Sequence, residues 1–201
     1  MKDFEVLYRQ LDSLFGLTAA EIEVIEQCID EAKFRCVESL RAFNSKYYRG
    51  EVNCLNSVMY TNFLYWLSRL CSKYGGGISI ADKVYYLNKV MNGVELFYEV
   101  DLPGHWSCEH PIGAVMGRAK YGDRFFFYQG CTVGGNPNRE GTIKYPVIGN
   151  NVRMFSNSKI LGNSYIGNNV IMSANSYCIN ESVPDDVIVF GQSPSLQLKR
   201  M

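Results

Sequence analysis

The stretch VIGNNVRMFSNSKILGNSYIGNNVIMSANSYCINES, residues 147–182, divides into six words of six residues. The second position of each word holds Ile148, Met154, Ile160, Ile166, Met172 and Cys178. The sixth holds Val152, Ser158, Ser164, Val170, Ser176 and Ser182. Cut instead into two halves of eighteen, beginning at Val147 and Tyr165, the stretch matches itself at nine positions. A helix needs apolar residues about 3.6 apart, and a half-buried strand needs them about every 2. A period of six fits neither. It fits a solenoid of parallel strands, in which each word supplies a short strand and a turn and three words close one triangular coil. The second-position side chains then point inward and stack, so that Ile148 lies under Ile166 and Met154 under Met172. Gly-Asn-Asn and Ser-Asn-Ser supply the turns, because Gly and Asn tolerate the left-handed backbone region. Small residues at the sixth position suit crowded corners.

The spacing extends backwards. Val115, Tyr121, Phe127 and Val133 are each six apart, and the register is interrupted by GGNPNREGTIKYP, residues 134–146. A turn-rich insertion that leaves the repeat intact on both sides is a loop extruded from a solenoid.

Upstream of residue 99 the period is helical. In FEVLYRQLDSLFG apolar residues recur at helical spacing, and Gly16 ends the run. Thr18 and Glu21 form a capping box for an amphipathic helix to about Phe43. A third helix is expected over 57–74, stopped by Gly75, Gly76 and Gly77. Ser79 and Asp82 are expected to cap a short fourth helix to about Met91, ended by Gly93. ELFYEV then reads as a strand or an extended lead-in. The expectation is an α+β chain with an α-helical domain over 1–98 and a repeat domain over 99–201.

Composition narrows the function classes. The 201 residues carry twenty basic and twenty acidic side chains, so the basic excess of a nucleic-acid-binding protein is missing. No apolar run reaches membrane-spanning length, and the charged N-terminus is no signal peptide. The seven cysteines lack CxxC spacing and read as reduced core thiols of a cytoplasmic protein.

From about Tyr60 onward the chain resembles the serine acetyltransferase family of hexapeptide-repeat acyltransferases. The resemblance rests on VDLP at 100–103, EHPIG at 109–113, QGCTVGGN at 129–136, KYP at 144–146, SKILGN at 158–163 and FGQSP at 190–194. It implies that the coil is a left-handed parallel β-helix. It also implies that the chain is an acetyl-CoA-dependent O-acetyltransferase working as a homotrimer or a dimer of trimers, with no metal.

The resemblance places the roles. His110 stands at the family's catalytic base, and Asp101 matches the acid that orients it. Nine positions separate the two here, about one hexapeptide fewer than in the family. Glu109 stands where the family meets its acceptor. Gly134 and Gly135 let backbone approach the thioester. Ser158 and Gly191 fall where the cofactor is gripped. Lys144 and Tyr145 replace an Arg-His pair that reads the serine carboxylate. Lysine keeps the charge but loses the bidentate fork, and tyrosine suits a sugar as readily as an amino acid. The acceptor is therefore L-serine by family default, with a sugar hydroxyl of a surface polysaccharide as the alternative. His105 has no counterpart and is expected to be a surface-loop histidine.

Two other classes fit the sequence less well. A zinc enzyme of the carbonic anhydrase type needs three histidine ligands, and the chain has two histidines. A non-catalytic assembly module would make no use of His110. The chain ends QLKRM, where the family's tail that binds cysteine synthase ends in Ile, which speaks against that complex.

Overall fold

The computed structural model describes residues 4–44, 51–138 and 140–201. The chain divides into two compact units, Met1–Glu99 and Val100–Met201.

The first unit is helical. Helix α1, Glu5–Phe15, ends at Gly16, whose φ of 68° takes the left-handed region that glycine tolerates. Helix α2, Ala19–Ala42, begins with the expected capping box between Thr18 and Glu21. Helix α3, Ser57–Lys73, is capped by Asn56, whose side-chain oxygen accepts from the N–H groups of Val58 and Met59. It is buried over most of its length, with Phe63, Leu64, Tyr65 and Leu67 fully enclosed. Helix α4, Ile78–Asn92, ends at Gly93.

The expected caps of α4 are engaged elsewhere. Its N-cap is Gly77, with no side-chain cap. The Ser79 hydroxyl donates to Glu21, and Asp82 accepts from the Tyr98 hydroxyl at 2.7 Å. Glu21 is the polar pin of this unit. The Lys83 ammonium lies 2.7 and 2.8 Å from its two oxygens, and the Thr18 N–H donates as well. Burial alone would raise the Glu21 carboxyl, but the bonds from Lys83, Thr18 and Ser79 outweigh it and hold the pKa at about 2. ELFYEV forms no strand: the next strand after α4 is Trp106–Cys108.

The second unit winds its strands through three sheets in rotation. The first face holds Trp106–Cys108, Phe125–Phe127, Arg153–Met154, Ile171–Met172 and Val187–Phe190, all parallel, and Gln197–Arg200 closes it antiparallel. The second face holds Val115–Met116, Thr132–Gly134, Lys159–Leu161 and Tyr177–Ile179. The third holds Lys120–Tyr121, Val147–Ile148, Tyr165–Ile166 and Ser182–Val183.

Register confirms the eighteen-residue coil. Ile148 pairs with Ile166, Met154 with Met172 and Ile160 with Cys178. The second-position side chains are buried throughout. The sixth-position side chains also point inside, except Ser182, which is exposed because the final coil is one residue shorter and puts Val183 over Ile166. The first coil is likewise offset. Met116, and not Val115, faces inward and pairs with Val133. The turns use left-handed residues as expected: Asn151, Asn157, Asn169 and Asn175 have φ between 55° and 61°. The excursion folds as a two-stranded hairpin of Asn136–Pro137 and Ile143–Lys144.

Candidate functional site

The coil has three corners, and their asparagines behave differently. At the corner between third and first faces the side chains bond up the stack. Asn151 donates to Asn169 at 3.0 Å, and Asn169 to Asp186 at 2.8 Å. Asn150 accepts from the Asp123 N–H, Asn168 from the Asn150 N–H, and Asp185 from the Asn168 N–H. These ladders satisfy the corner internally.

The corner between first and second faces has no such ladder. It carries His110, Gln129, Asn157, Asn175 and Gln192 on successive coils. None of their side chains makes a hydrogen bond among the described residues. Asn157, Asn175 and Gln192, with Lys159 and Tyr177 beside them, line a groove of about 260 Å³. Lys159 and Tyr177 are register partners on the adjoining face, and the Lys159 ammonium rests on the Asn157 carbonyl at 3.1 Å. Gly191 turns the chain here with φ 78°, and its carbonyl accepts from the Tyr177 N–H. A row of unbonded amides with one cation and one phenol is equipped to take the amides, hydroxyls and phosphates of an extended ligand.

His110 stands at the foot of this corner. It has φ 50°, a left-handed conformation uncommon for a residue with a side chain, and it is exposed. Its turn is wider than those above: eight positions separate Cys108 from Met116, against six between their partners Phe127 and Val133. The corner thus projects its histidine outward.

No family model matches the chain. Curated relatives do. The serine acetyltransferase of Synechococcus elongatus is 36% identical over 107 residues, 53% of this chain and 43% of the relative. That of Staphylococcus xylosus is 33% identical over 113 residues, 56% of this chain and 51% of the relative. Over about half of its length the chain is thus similar to serine acetyltransferases. It spans about half the length, or less, of the curated members it matches. Among solved structures, the serine acetyltransferase of Neisseria gonorrhoeae superposes with a TM-score of 0.75 at 23% identity, covering 95% of this chain and 74% of that one. The same enzyme in complex with serine gives 0.69 at 21%, covering 96% and 82%. These likenesses show a shared fold.

The expected site residues fall into four places. Glu109 and His110 lie at the amide-lined corner. Asp101 is exposed in the segment before Trp106–Cys108, and the His110 ring has no bond to it or to any other described residue. Gly134, Gly135, Lys144 and Tyr145 gather at the opposite edge of the second face. There Gly135 lies under the Tyr145 ring, so that an added Cβ would stand 2.7 Å from Cε1. Lys144 pairs with Asn136 in the hairpin. Ser158 faces the interior: it is fully buried, its hydroxyl 3.6 Å from the Cys131 sulfur, with its N–H given to Phe155 and its carbonyl to Thr132. The groove wall beside it is Asn157 and Lys159. Sequence reasoning missed these two, and also Asn175, Tyr177 and Gln192. Their signal was the outward column of the repeat, which the inward column overshadowed.

His105 is not a bare loop histidine. Its ring Nδ1 lies 2.9 Å from Asp123, and its N–H donates to the same carboxylate at 3.1 Å. Burial would raise the Asp123 carboxyl, but these His105 contacts hold it below the ordinary range. The pair sits at the corner whose polar groups bond to one another, away from the groove. Among the described residues no cluster of three or more acidic, histidine or cysteine side chains could hold a metal. No helix there is long and apolar enough to cross a membrane.

Proposed function

We propose that this chain transfers the acetyl group of acetyl-CoA to a hydroxyl, with L-serine as the acceptor. The observation that carries the reading is the corner that sets His110 below a row of unbonded amides while the equivalent corner is internally bonded. The relatives named above are serine acetyltransferases, and solved likenesses include one in complex with CoA, at a TM-score of 0.64.

The chemistry follows from the groups present. His110 takes the acceptor's hydroxyl proton as the oxygen attacks the thioester carbon. A main-chain N–H of the Gly134–Gly135 pair faces the oxygen that gains charge. The carbon–sulfur bond breaks, and His110 returns the proton to the departing thiolate. The groove of Asn157, Lys159, Asn175, Tyr177 and Gln192 holds the CoA arm, with Gly191 in its closing turn. Ser158 supports the wall from inside. Glu109 meets the acceptor beside the base, and Lys144 pairs with its carboxylate. Asp101 belongs to the family role of orienting the base, which the single chain leaves unmet.

In one chain His110 and the Lys144–Tyr145 pair stand at opposite edges of the second face. One acceptor is reached by both when a second copy lies alongside, which favours a homotrimer, alone or paired as two trimers. The same reading includes a left-handed coil, a helical domain over 1–98 that serves assembly, a repeat domain over 99–201 and a cytoplasmic location.

A sugar hydroxyl is the second reading. Tyr145 is 41% exposed, and its ring offers a face on which a sugar ring can stack. Purified protein is incubated with acetyl-CoA and either L-serine or candidate sugars while free thiol is followed. Release with serine and formation of O-acetylserine is the expected result. Release with a sugar alone overturns the serine acceptor, and no release with either overturns acyl transfer.

A further inference from the structure

Two polar groups on neighbouring coils of the site corner lack partners among the described residues. The side-chain carbonyl of Gln129 is buried and accepts no hydrogen bond among the described residues. The His110 ring makes none either. The two residues match in their count from the first-face strands. Each lies two positions past a register partner, Cys108 for His110 and Phe127 for Gln129. The turns that carry them are tied on both sides, by Glu109 N–H to the Phe127 carbonyl and by Gly130 N–H to the Ile112 carbonyl, each at 3.0 Å.

An imidazole that accepts a proton at one nitrogen needs its other N–H held, so that one tautomer and one orientation prevail. No described residue does this for His110. A buried carbonyl without a donor is the complementary deficit. The backbone bonds hold the two turns side by side, so the ring and the amide stand on adjoining turns of one corner.

We propose that Gln129 is a positioning residue for His110: its amide carbonyl accepts the ring N–H that faces away from the acceptor. The proposal rests on the reading of His110 as the base. An amide fixes tautomer and direction as a carboxylate would, without adding a negative charge beside the imidazolium.

The test uses the full chain labelled with ¹⁵N-histidine. There are two histidines, and a His105→Asn variant assigns their ring signals. In the wild type the neutral His110 ring is expected to favour one tautomer. Gln129→Met, which keeps length but removes the acceptor, is expected to give a mixture. Gln129→Glu, which keeps an acceptor oxygen, restores the preference. In turnover, Gln129→Met is expected to lose about 10- to 100-fold in kcat, within the range for acid–base assistance, with both KM values held and with rescue by Gln129→Glu.

Equal tautomer ratios in wild type and Gln129→Met overturn the proposal. So does a raised KM for acetyl-CoA at unchanged kcat, which would make Gln129 a cofactor contact. The ring signals are read without substrate. A wild type that releases no thiol therefore sinks the acyl-transfer reading, while the tautomer comparison still decides the contact. Should Gln129→Met not fold, Gln129→Leu serves the same comparison.

Discussion

Gly135 and Tyr145 are in contact across the base of the excursion: a methyl at residue 135 would stand 2.7 Å from Tyr145 Cε1 and 2.6 Å from Ile143 Cγ2. Both neighbours are partly exposed side chains and can move aside. Gly135→Ala is therefore expected to change thermal stability little, while displacing the ring from the acceptor side. KM for the acceptor should rise several-fold, about 1 kcal/mol of lost binding, with KM for acetyl-CoA held. Steady-state kinetics with each substrate varied in turn checks this.

The groove makes the opposite division. Lys159→Ala removes its one cation, and Tyr177→Ala removes its aromatic wall. Each is expected to raise KM for acetyl-CoA by roughly 10-fold, the scale of one charge-assisted contact, and to leave acceptor KM unchanged. Raising salt should mimic Lys159→Ala in part, because exposed charge pairs are screened.

Acid should loosen the helical unit through Glu21. Its folded pKa is depressed to about 2 from an ordinary 4.5. Its contribution is thus present above pH 4.5 and is lost as pH falls through 4.5 toward 2. The depression is worth on the order of 3 kcal/mol. Lys83→Met should remove much of it and flatten the fall in stability over that window, as followed by helical circular dichroism in denaturant titrations at each pH. An unchanged slope would contradict the assignment.

The coil itself is tested at Gly149. A Cβ there would lie 2.7 Å from the Gly167 carbonyl on the next coil. That neighbour is backbone and has nowhere to go. Gly149→Ala is expected to lower stability by about 2 kcal/mol or more, far beyond the effect of Gly135→Ala. Chemical denaturation of the two variants side by side decides it.

Much of this architecture is legible in the sequence because the inward column repeats. Ile148, Met154, Ile160 and their successors must all be apolar to fill one coil, so the period is forced. Glu21 and Thr18 were equally readable, since a capping box is local. The miss at Val115 has a physical reason: the step from Met116 to Tyr121 is five residues, one short of the period, so that Met116 takes the core position. The pairing of His105 with Asp123 spans eighteen positions and has no local signal. The groove residues were hidden differently. Asn157 and Asn151 are alike as sequence, both left-handed turn asparagines. Each has another asparagine eighteen positions on, Asn169 and Asn175; Asn151 donates to Asn169, while the Asn157 and Asn175 side chains share no hydrogen bond among the described residues.

The most direct measurement compares the two histidines. Thiol release from acetyl-CoA in the presence of L-serine is followed for wild type, His110→Ala and His105→Ala. The account predicts that His110→Ala loses about 10²- to 10⁴-fold in kcat/KM, the usual worth of a general base, while His105→Ala stays within about twofold of wild type once folding is matched, as expected for a side chain remote from the chemistry. A His110→Ala protein that turns over as fast as wild type, or a collapse of activity in His105→Ala alone, would contradict it.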